Sequence, residues 1–188
     1  MKEFIKNSDC FFNFINCVVE ARDRSNTLKN RIEDIRDFLG ADRCTLYLYD
    51  KQAEELVSRV DQGAKYEERL PINKETLIGY CFLSGKTLCI NDAYDESELK
   101  AINEAIRFSK KQDQASGYKT KSVLVTPIIV RGTRVGVFQA VNKPGGFINY
   151  SIEGIIDFAP MLGLAVEIVM LDEALQKGKR FEDLPFGG

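Results

Sequence analysis

The sequence predicts an α+β fold built on a central antiparallel sheet of about six strands. Apolar residues recur at helical spacing near both ends of the chain, whereas from Cys44 onward they recur at every second position. Two long β-branched runs, Lys121–Val130 and Arg134–Asn142, are separated only by Arg131-Gly132-Thr133, the spacing of a β-hairpin. Because hairpins pair antiparallel strands and the long helices fall at the chain ends, the pattern predicts α+β.

Two helices are predicted ahead of the sheet. The first spans residues 3–22, which carry a broad apolar stripe. The second has Ser25 as its candidate N-cap and ends at Gly40, a residue type that commonly stops helices. The apolar face of the second helix consists of Leu28, Ile32, Ile35 and Leu39. Its opposite face is charged and is expected to be solvated.

Strands and short helices are predicted through the middle of the chain. After Cys44, alternate residues of a first strand point to opposite faces, and a polar turn leads into a second strand. This second strand is Glu55–Asp61. The later strands are predicted at Glu67–Leu70 and Thr87–Ile90, and helical stretches at Glu75–Leu83 and 95–112.

The last predicted helix runs from a Ser151 N-cap to about Lys177 and is apolar nearly all round. A surface helix is apolar on one face only, so this helix is expected to pack on the sheet and also on another helix or subunit. We therefore expect a homodimer through a helical bundle of residues 3–22 and 155–175, with Val166 and Val169 as candidates for its face.

Composition excludes several classes of function. The chain has 188 residues, a formal net charge of −2 and no histidine, so histidine-dependent catalysis and histidine-ligated metals or haem are not expected. Basic residues are dispersed, which argues against nucleic acid, and no apolar run is long enough to cross a membrane. The five cysteines form no C-x-x-C pair and are expected to be buried, reduced thiols. A cytosolic protein without cofactor or metal is predicted.

Polar side chains interrupt the apolar positions of three predicted strands. They are Thr45 with Tyr47, Thr126, and Gln139. A buried polar group must find a hydrogen-bond partner, and a ligand is one alternative beside backbone groups and water.

Three stretches carry a family resemblance: "ADRCTLYLYD", "IGYCFLSGKTLCINDAYDE" and "DQASGYKTKSVLVTPIIVRGTRVGVFQAVNK". The last is the most specific, with D-x-x-S/T-G-Y-x-T-x-S-x-L-x-x-P spacing from Asp113 to Pro127. From Ala41 to about Leu175 the chain resembles a GAF domain, the small-molecule-binding module of cyclic nucleotide phosphodiesterases and many bacterial sensors. The resemblance is to the phosphodiesterase branch more than to the bilin or haem branches. It implies terminal helices on one sheet face and a ligand pocket on the other.

The resemblance implies where a cyclic nucleotide would bind. Hydroxyl, carboxylate and amide side chains would bind the nucleotide. Backbone amides at the start of the short helix would bind its phosphate, because a helix N-terminus favours an anion. The positions that match are Thr45, Asp61, Leu77, Ile78, Thr120 and Gln139.

The chain departs from one signature of the nucleotide-binding members, N-K…F-x-x-x-D-E, in which the lysine and aspartate form a structural ion pair. Asn142, Lys143 and Phe147 match, but Ser151 and Ile152 stand at the acidic positions. Glu153 is the candidate substitute partner for Lys143.

These expectations define three regions: N-terminal helices at 1–40, a GAF core at 41–178 and a linker or tail at 179–188. The expected function is a regulatory domain, not an enzyme, that binds a cyclic nucleotide or other purine and signals through its terminal helices to an output domain. The alternative is a GAF dimerisation module without ligand. A methionine sulfoxide reductase using Cys81 is disfavoured, because the cysteine-glycine context that such enzymes require is missing.

Overall fold

A computed structural model describes residues 13–61, 67–110, 113–114, 117–147 and 149–187, with side chains described at these positions except 60, 61, 149–153, 156 and 157. In chain order the elements are α1 (helical at 13–20), α2 (Arg24–Leu39), β1 (Arg43–Asp50), β2 (Glu55–Asp61), β3 (Arg69–Pro71), α3 (Leu77–Ser84), β4 (Leu88–Ile90), α4 (Glu96–Ile102), β5 (Val123–Val130), β6 (Thr133–Val141) and α5 (Asn149–Gln176).

The strands form one six-stranded sheet in the order β3-β2-β1-β6-β5-β4, and every adjacent pair is antiparallel. The predicted fold class is therefore confirmed. The β5–β6 hairpin closes at Val130, which pairs with Thr133, so its loop is Arg131-Gly132. Both loop residues have positive φ, 49° and 79°, as in the type I′ turn whose twist matches that of paired strands.

Strand alternation divides the core into two layers. One face of the sheet, including Leu46, Leu124 and Phe138, packs under α1, α2 and α5. The other face packs against α3 and α4, with Val125 and Val137 at its centre. The terminal helices therefore lie on one face, as predicted, and α3 with its flanking loops covers the other.

Both predicted N-caps of the long helices are wrong. The cap of α2 is Asp23, whose carboxylate accepts a hydrogen bond from the Asn26 N–H at 3.0 Å. Ser25 lies inside the helix and donates to Glu173 of α5 at 2.8 Å, so a tertiary contact uses the hydroxyl that a cap would need. Ser151 likewise lies inside α5, which begins at Asn149.

The helical stretch predicted at 95–112 is shorter than expected, because α4 ends at Ile102 with Asn103 as its C-cap. The Asn103 side chain accepts from the Ala105 N–H at 2.9 Å, a local bond that competes with helix continuation. The chain then turns so that Ile106, 1% exposed, enters the core on the α3 side of the sheet. Residues 111–112 lie outside the described part of the chain.

Val166 and Val169 do not lie on an exposed dimer face. They are 0% and 5% exposed within the single chain, where they pack into the helix-side core. The exposed apolar side of α5 instead includes Leu164 and Leu175. Residues 3–12 of the predicted bundle lie outside the described residues.

The segment after α5 is not the extended linker that its composition suggested. It forms a short 3-10 turn at Phe181–Asp183 and buries Leu184 and Phe186 in the helix-side core. The tail therefore belongs to the packed structure. Among the described residues, no helix has both the length and the apolar character needed to span a bilayer.

Candidate ligand site on the α3 side of the sheet

Three predicted ligand residues occupy one row across the central strands. Thr45 of β1 pairs with Gln139 of β6 on one side and with Asp61 of β2 on the other. Thr45 and Gln139 alternate with residues of the helix side, so both lie on the α3 side, where Thr45 is buried and Gln139 half-buried. The side chain of Asp61 lies outside the described part, so its role stays a prediction.

The start of α3 brings two further predicted residues to this face. Leu77 and Ile78 are the first two residues of the helix, and their side chains are buried in the same cluster as Val125 and Val137. The N-cap Thr76 accepts from the Gly79 N–H at 3.0 Å. The first N–H groups of a helix have no partner within it, and together with the helix dipole they favour an anion.

Gly79 is required by the close approach of the preceding loop. A Cβ at this position would lie 2.3 Å from the main-chain oxygen of Asn73 and 2.9 Å from its nitrogen. Only glycine lets the loop fold back against the first turn of α3. The shape of the candidate anion site therefore depends on this residue.

Thr120 is held by a buried carboxylate. Its hydroxyl donates to Asp113 Oδ1 at 2.9 Å, and its N–H donates to Asp113 Oδ2 at 2.7 Å. The Tyr94 hydroxyl donates to the same carboxylate at 2.9 Å. A hydroxyl has one proton, so in this arrangement Thr120 offers a ligand only its acceptor lone pairs. The motif contained Asp113, but nothing in the sequence indicated these partners.

The loop after α4 closes over the α3 side. The Arg107 N–H donates to the Glu75 carbonyl at 2.7 Å, which joins this loop to the chain just before α3. The Phe108 ring lies 5.4 Å from that of Tyr94, centroid to centroid. Residues 103–110 therefore form a cover over the candidate site, fixed by main-chain and aromatic contacts.

The signature residues Asn142 and Phe147 have structural contacts. Asn142 adopts a φ of 57°, a conformation that asparagine tolerates better than most residues. Its side chain accepts from the Lys121 N–H at 2.6 Å and donates to the Lys119 carbonyl at 2.8 Å. Phe147 is buried, and its carbonyl accepts from the Cys89 thiol at 3.0 Å. Asn142 thus fixes the chain entering β5 to the end of β6.

Lys143 contacts the end of α2. Its ammonium donates to the carbonyl of Leu39, the last residue of that helix, where a cation is also favoured by the helix dipole. This contact could not be predicted from local sequence, because 104 positions separate the two residues. The pairing of Lys143 with Glu153 stays a prediction, since the Glu153 side chain is outside the described part.

Two of the polar strand residues are satisfied within the protein. The Thr126 hydroxyl lies 2.8 Å from that of Thr87, and its pairing with Phe138 places it on the helix side. The Tyr47 hydroxyl donates to Glu68 at 2.6 Å. Thr45 and Gln139 remain the strand candidates for contact with a ligand.

Two cavities lie on the helix side of the sheet. The larger, about 440 Å³, is bordered by α5, the β1–β2 turn and the C-terminal segment; its lining includes Leu48, Arg59, Val169 and Leu184. The smaller, about 160 Å³, lies among α1, α2 and α5; its lining includes Phe14, Ile35, Phe38 and Phe158. Neither of these two cavities includes Thr45, Leu77 or Gln139.

The described cysteines are free thiols that differ in burial: Cys44 and Cys81 are buried, Cys89 is half-buried and Cys17 is exposed. Burial raises the pKa of Cys44 and of Cys81 to about 12, and that of Cys89 to about 11. These thiols are protonated at neutral pH and are therefore poor nucleophiles. Cys17 is exposed, contrary to the expectation that all are buried, and Cys10 lies outside the described residues.

The rate of thiol modification should distinguish the exposed cysteine from the buried ones. In a Cys10→Ser background, a disulfide reagent at neutral pH is expected to modify Cys17 rapidly and to reach Cys44 and Cys81 only after denaturation. Rapid native-state modification of Cys81 would contradict its burial.

The same burial predicts a dependence of stability on alkaline pH. Because the folded pKa of Cys81 is raised from 9.0 to about 12, the unfolded chain loses its proton first as pH rises. The free energy of unfolding should therefore fall between those values. The free energy of unfolding of Cys81→Ala, measured by urea denaturation, should fall less steeply over this pH range.

Comparison with known proteins identifies the family. The GAF domain model matches residues 23–166, from the N-cap of α2 into α5. The chain is 30% identical over 153 residues to a probable 3′,5′-cyclic phosphodiesterase, pde-5, of Caenorhabditis elegans, covering 74% of this chain and 20% of that protein. It is 33% identical over 153 residues to dual 3′,5′-cyclic-AMP and -GMP phosphodiesterase 11A of Takifugu rubripes, covering 73% of this chain and 16% of that protein.

Solved structures of distant sequence share the fold. The GAF domain of a phosphoenolpyruvate-protein phosphotransferase from Coxiella burnetii superposes with a TM-score of 0.69 at 20% identity, covering 93% of this chain and 97% of that one. The free methionine-R-sulfoxide reductase of Neisseria meningitidis gives 0.67 at 18% identity, with coverages of 88% and 91%. With the family model matching most of its length, this chain belongs to the GAF domain family, in the branch found in cyclic nucleotide phosphodiesterases.

Proposed function

We propose that this domain is a regulatory sensor that binds a cyclic nucleotide or another purine between α3 and the sheet. The observation that carries the proposal is the shared placement of Thr45, Gln139 and the first residues of α3 on one face. In the proposed complex, polar groups able to read a base and N–H groups suited to a phosphate would act from this one face.

Each group has a separate role in the proposed complex. The Gln139 carboxamide both donates and accepts, so it suits the edge of a purine, and Thr45 beside it adds a hydroxyl. The N–H groups of Leu77 and Ile78 would face the cyclic phosphate. Asp61 completes the row by its backbone register with Thr45.

The comparisons support a regulatory role and not a reaction. GAF domains are sensor modules of signalling proteins, and the matched relatives are named as cyclic phosphodiesterases. This chain spans no more than a fifth of either relative, so their hydrolytic activity is not proposed for it. The methionine sulfoxide reductase of similar fold is only 18% identical, so its reaction is not proposed for this chain either. We propose that the domain acts in the cytoplasm as a homodimer and passes occupancy to an output domain.

A thermal-shift screen tests ligand binding. The panel contains cyclic GMP, cyclic AMP, cyclic dinucleotides, free purines and small organic acids. A ligand at about 100 times its dissociation constant adds about 2.7 kcal/mol to stability, which raises the melting temperature by about 5–10 °C at this chain length. We expect a cyclic nucleotide to give such a rise.

Variants locate the site of any hit. Gln139→Leu and Thr45→Val should reduce the shift because they remove polar contacts but keep volume. Gln52→Leu makes the same change as Gln139→Leu at an exposed turn residue and should keep the full shift. Loss of the shift in Gln52→Leu, or its retention in both site variants, would place the ligand elsewhere.

The alternative is a dimerisation module without ligand. It is favoured by the exposed apolar residues of α5, where Leu164 and Leu175 are 43% and 78% exposed and Ile168 and Leu171 are partly buried between them. No shift with any compound, together with self-association in sedimentation, would support this alternative over the sensor.

A further inference from the structure

Tyr118 reaches from the chain entering β5 to the junction of α2 and β1. Its hydroxyl donates to Asp42 Oδ2 at 2.7 Å. The guanidinium carbon of Arg43 lies 3.7 Å from the centroid of its ring, a cation–π contact. The hydroxyl and the ring thus contact two consecutive residues that connect the helix layer to the sheet.

The same junction is fixed to β6 and to the last turn of α2. The Asp42 N–H donates to the Val141 carbonyl at 2.9 Å, and the Ala41 N–H donates to the Arg36 carbonyl at 3.0 Å. Asn142 follows Val141 and donates to the Tyr118 hydroxyl at 2.9 Å. A change in the position of Tyr118 therefore acts on groups that end α2.

On its other side, Tyr118 is connected to the wall of the candidate ligand site. Thr120, two residues later, is bound through its N–H and hydroxyl to Asp113, which also binds Tyr94. The Lys121 carbonyl accepts from the Ala93 N–H at 2.7 Å. Residues 117–122 thus contact the α3 side through Thr120, Lys121 and the ring of Tyr118, and the α2–β1 junction through the hydroxyl of Tyr118.

We propose that Tyr118 is a positioning residue through which ligand occupancy on the α3 side changes the α2–β1 junction. The inference rests on the proposed function, whose ligand would contact the wall that contains Thr120. Burial and the bond to Asp42 raise the pKa of Tyr118, so its hydroxyl stays a donor at neutral pH. Tyr118→Phe removes the hydroxyl bonds and keeps the ring over Arg43.

Hydrogen exchange with cyclic GMP as the probe tests this coupling. In the unsubstituted protein, saturating cyclic GMP should slow exchange about threefold or more both at 117–122 and at 36–43, where the Ala41 and Asp42 amides report on the junction. In Tyr118→Phe the change at 117–122 should persist, while that at 36–43 falls to about a third or less. Tyr80→Phe is the control: it makes the same chemical change at a half-buried tyrosine of α3 and should behave like the unsubstituted protein.

A ligand-independent comparison separates failure of this inference from failure of the proposed function. Thr120→Ala weakens the attachment of 117–122 to Asp113 and should speed exchange at 36–43 when Tyr118 is present, but not in a Tyr118→Phe background. An equal effect in both backgrounds, or none in either, overturns the coupling. So does a full cyclic GMP response at 36–43 in Tyr118→Phe. Absence of any cyclic GMP response in the unsubstituted protein counts against the proposed ligand and leaves the Thr120 comparison to decide the coupling.

Discussion

Glutamate in place of Val166 is expected to destabilise the isolated domain by more than about 4 kcal/mol, because it loses buried apolar surface and places a carboxylate in an apolar core. Val166 is 0% exposed on the sheet-facing side of α5. At about 2–4 °C per kcal/mol for a chain of this length, the melting temperature should fall by more than about 8 °C. Thermal denaturation followed by circular dichroism measures the loss.

Leu164→Glu is the matched control on the same helix. Leu164 is 43% exposed, so the substitution should change stability by about 1 kcal/mol or less. If α5 pairs with a second copy, Leu164→Glu should also convert the dimer to a monomer. Sedimentation at about tens of micromolar, a concentration at which assemblies of micromolar affinity form, measures this. A Val166→Glu protein that melts like the unsubstituted domain would contradict the burial of Val166.

Elements defined by local chemistry were predictable. The β5–β6 hairpin follows from Arg131-Gly132, since the positive φ of both residues produces a turn that suits paired strands. The buried face of α2 follows equally from its period, and Gly40 ends the helix with a φ of 65°. In these cases the local sequence is sufficient to predict the turn, the buried helix face and the helix end.

Choices that depend on tertiary contacts were not predictable. Ser25 is as good a cap as Asp23 by type, but Ser25 binds Glu173 from the far end of the chain. The apolar character of α5 on all sides does not say that Val166 faces the core and Leu164 faces solvent. In the tail, Leu184 and Phe186 are flanked by acidic residues, a proline and glycines, which suggested a linker.

The candidate site shows the same division. Alternation predicts which residues within each strand share a face with Thr45 or with Gln139, whereas the pairing of these two residues depends on the β1–β6 register of the assembled sheet. The contacts of Tyr118 with Asp42 and of Lys143 with Leu39 span 76 and 104 positions. Such contacts depend on the assembled sheet, and no local pattern indicates them.

Gly163→Ala should be markedly destabilising although alanine is the better helix former. A Cβ at Gly163 would lie 2.5 Å from the main-chain oxygen of Ile129, where α5 crosses β5 beside an irregularity in strand register. Overpacking costs about 1–3 kcal/mol and occasionally more, and a strand carbonyl cannot rotate aside as a flexible side chain would. This cost should exceed the gain of about 1 kcal/mol in helix propensity.

Gly154→Ala is the control for this prediction, because it makes the same change on α5 at a position whose added Cβ meets no atom of the described residues within 4 Å. It should be neutral or stabilise the domain by about 0.5–1 kcal/mol. The gain in helix propensity is common to both variants, so they are expected to differ by the overpacking cost of about 1–3 kcal/mol in urea denaturation, or about 2–12 °C in melting temperature. Equal stability of both would mean that α5 does not approach β5 this closely. Stabilisation by Gly163→Ala would contradict the observed packing, since only free space at Gly163 would let helix propensity decide the sign.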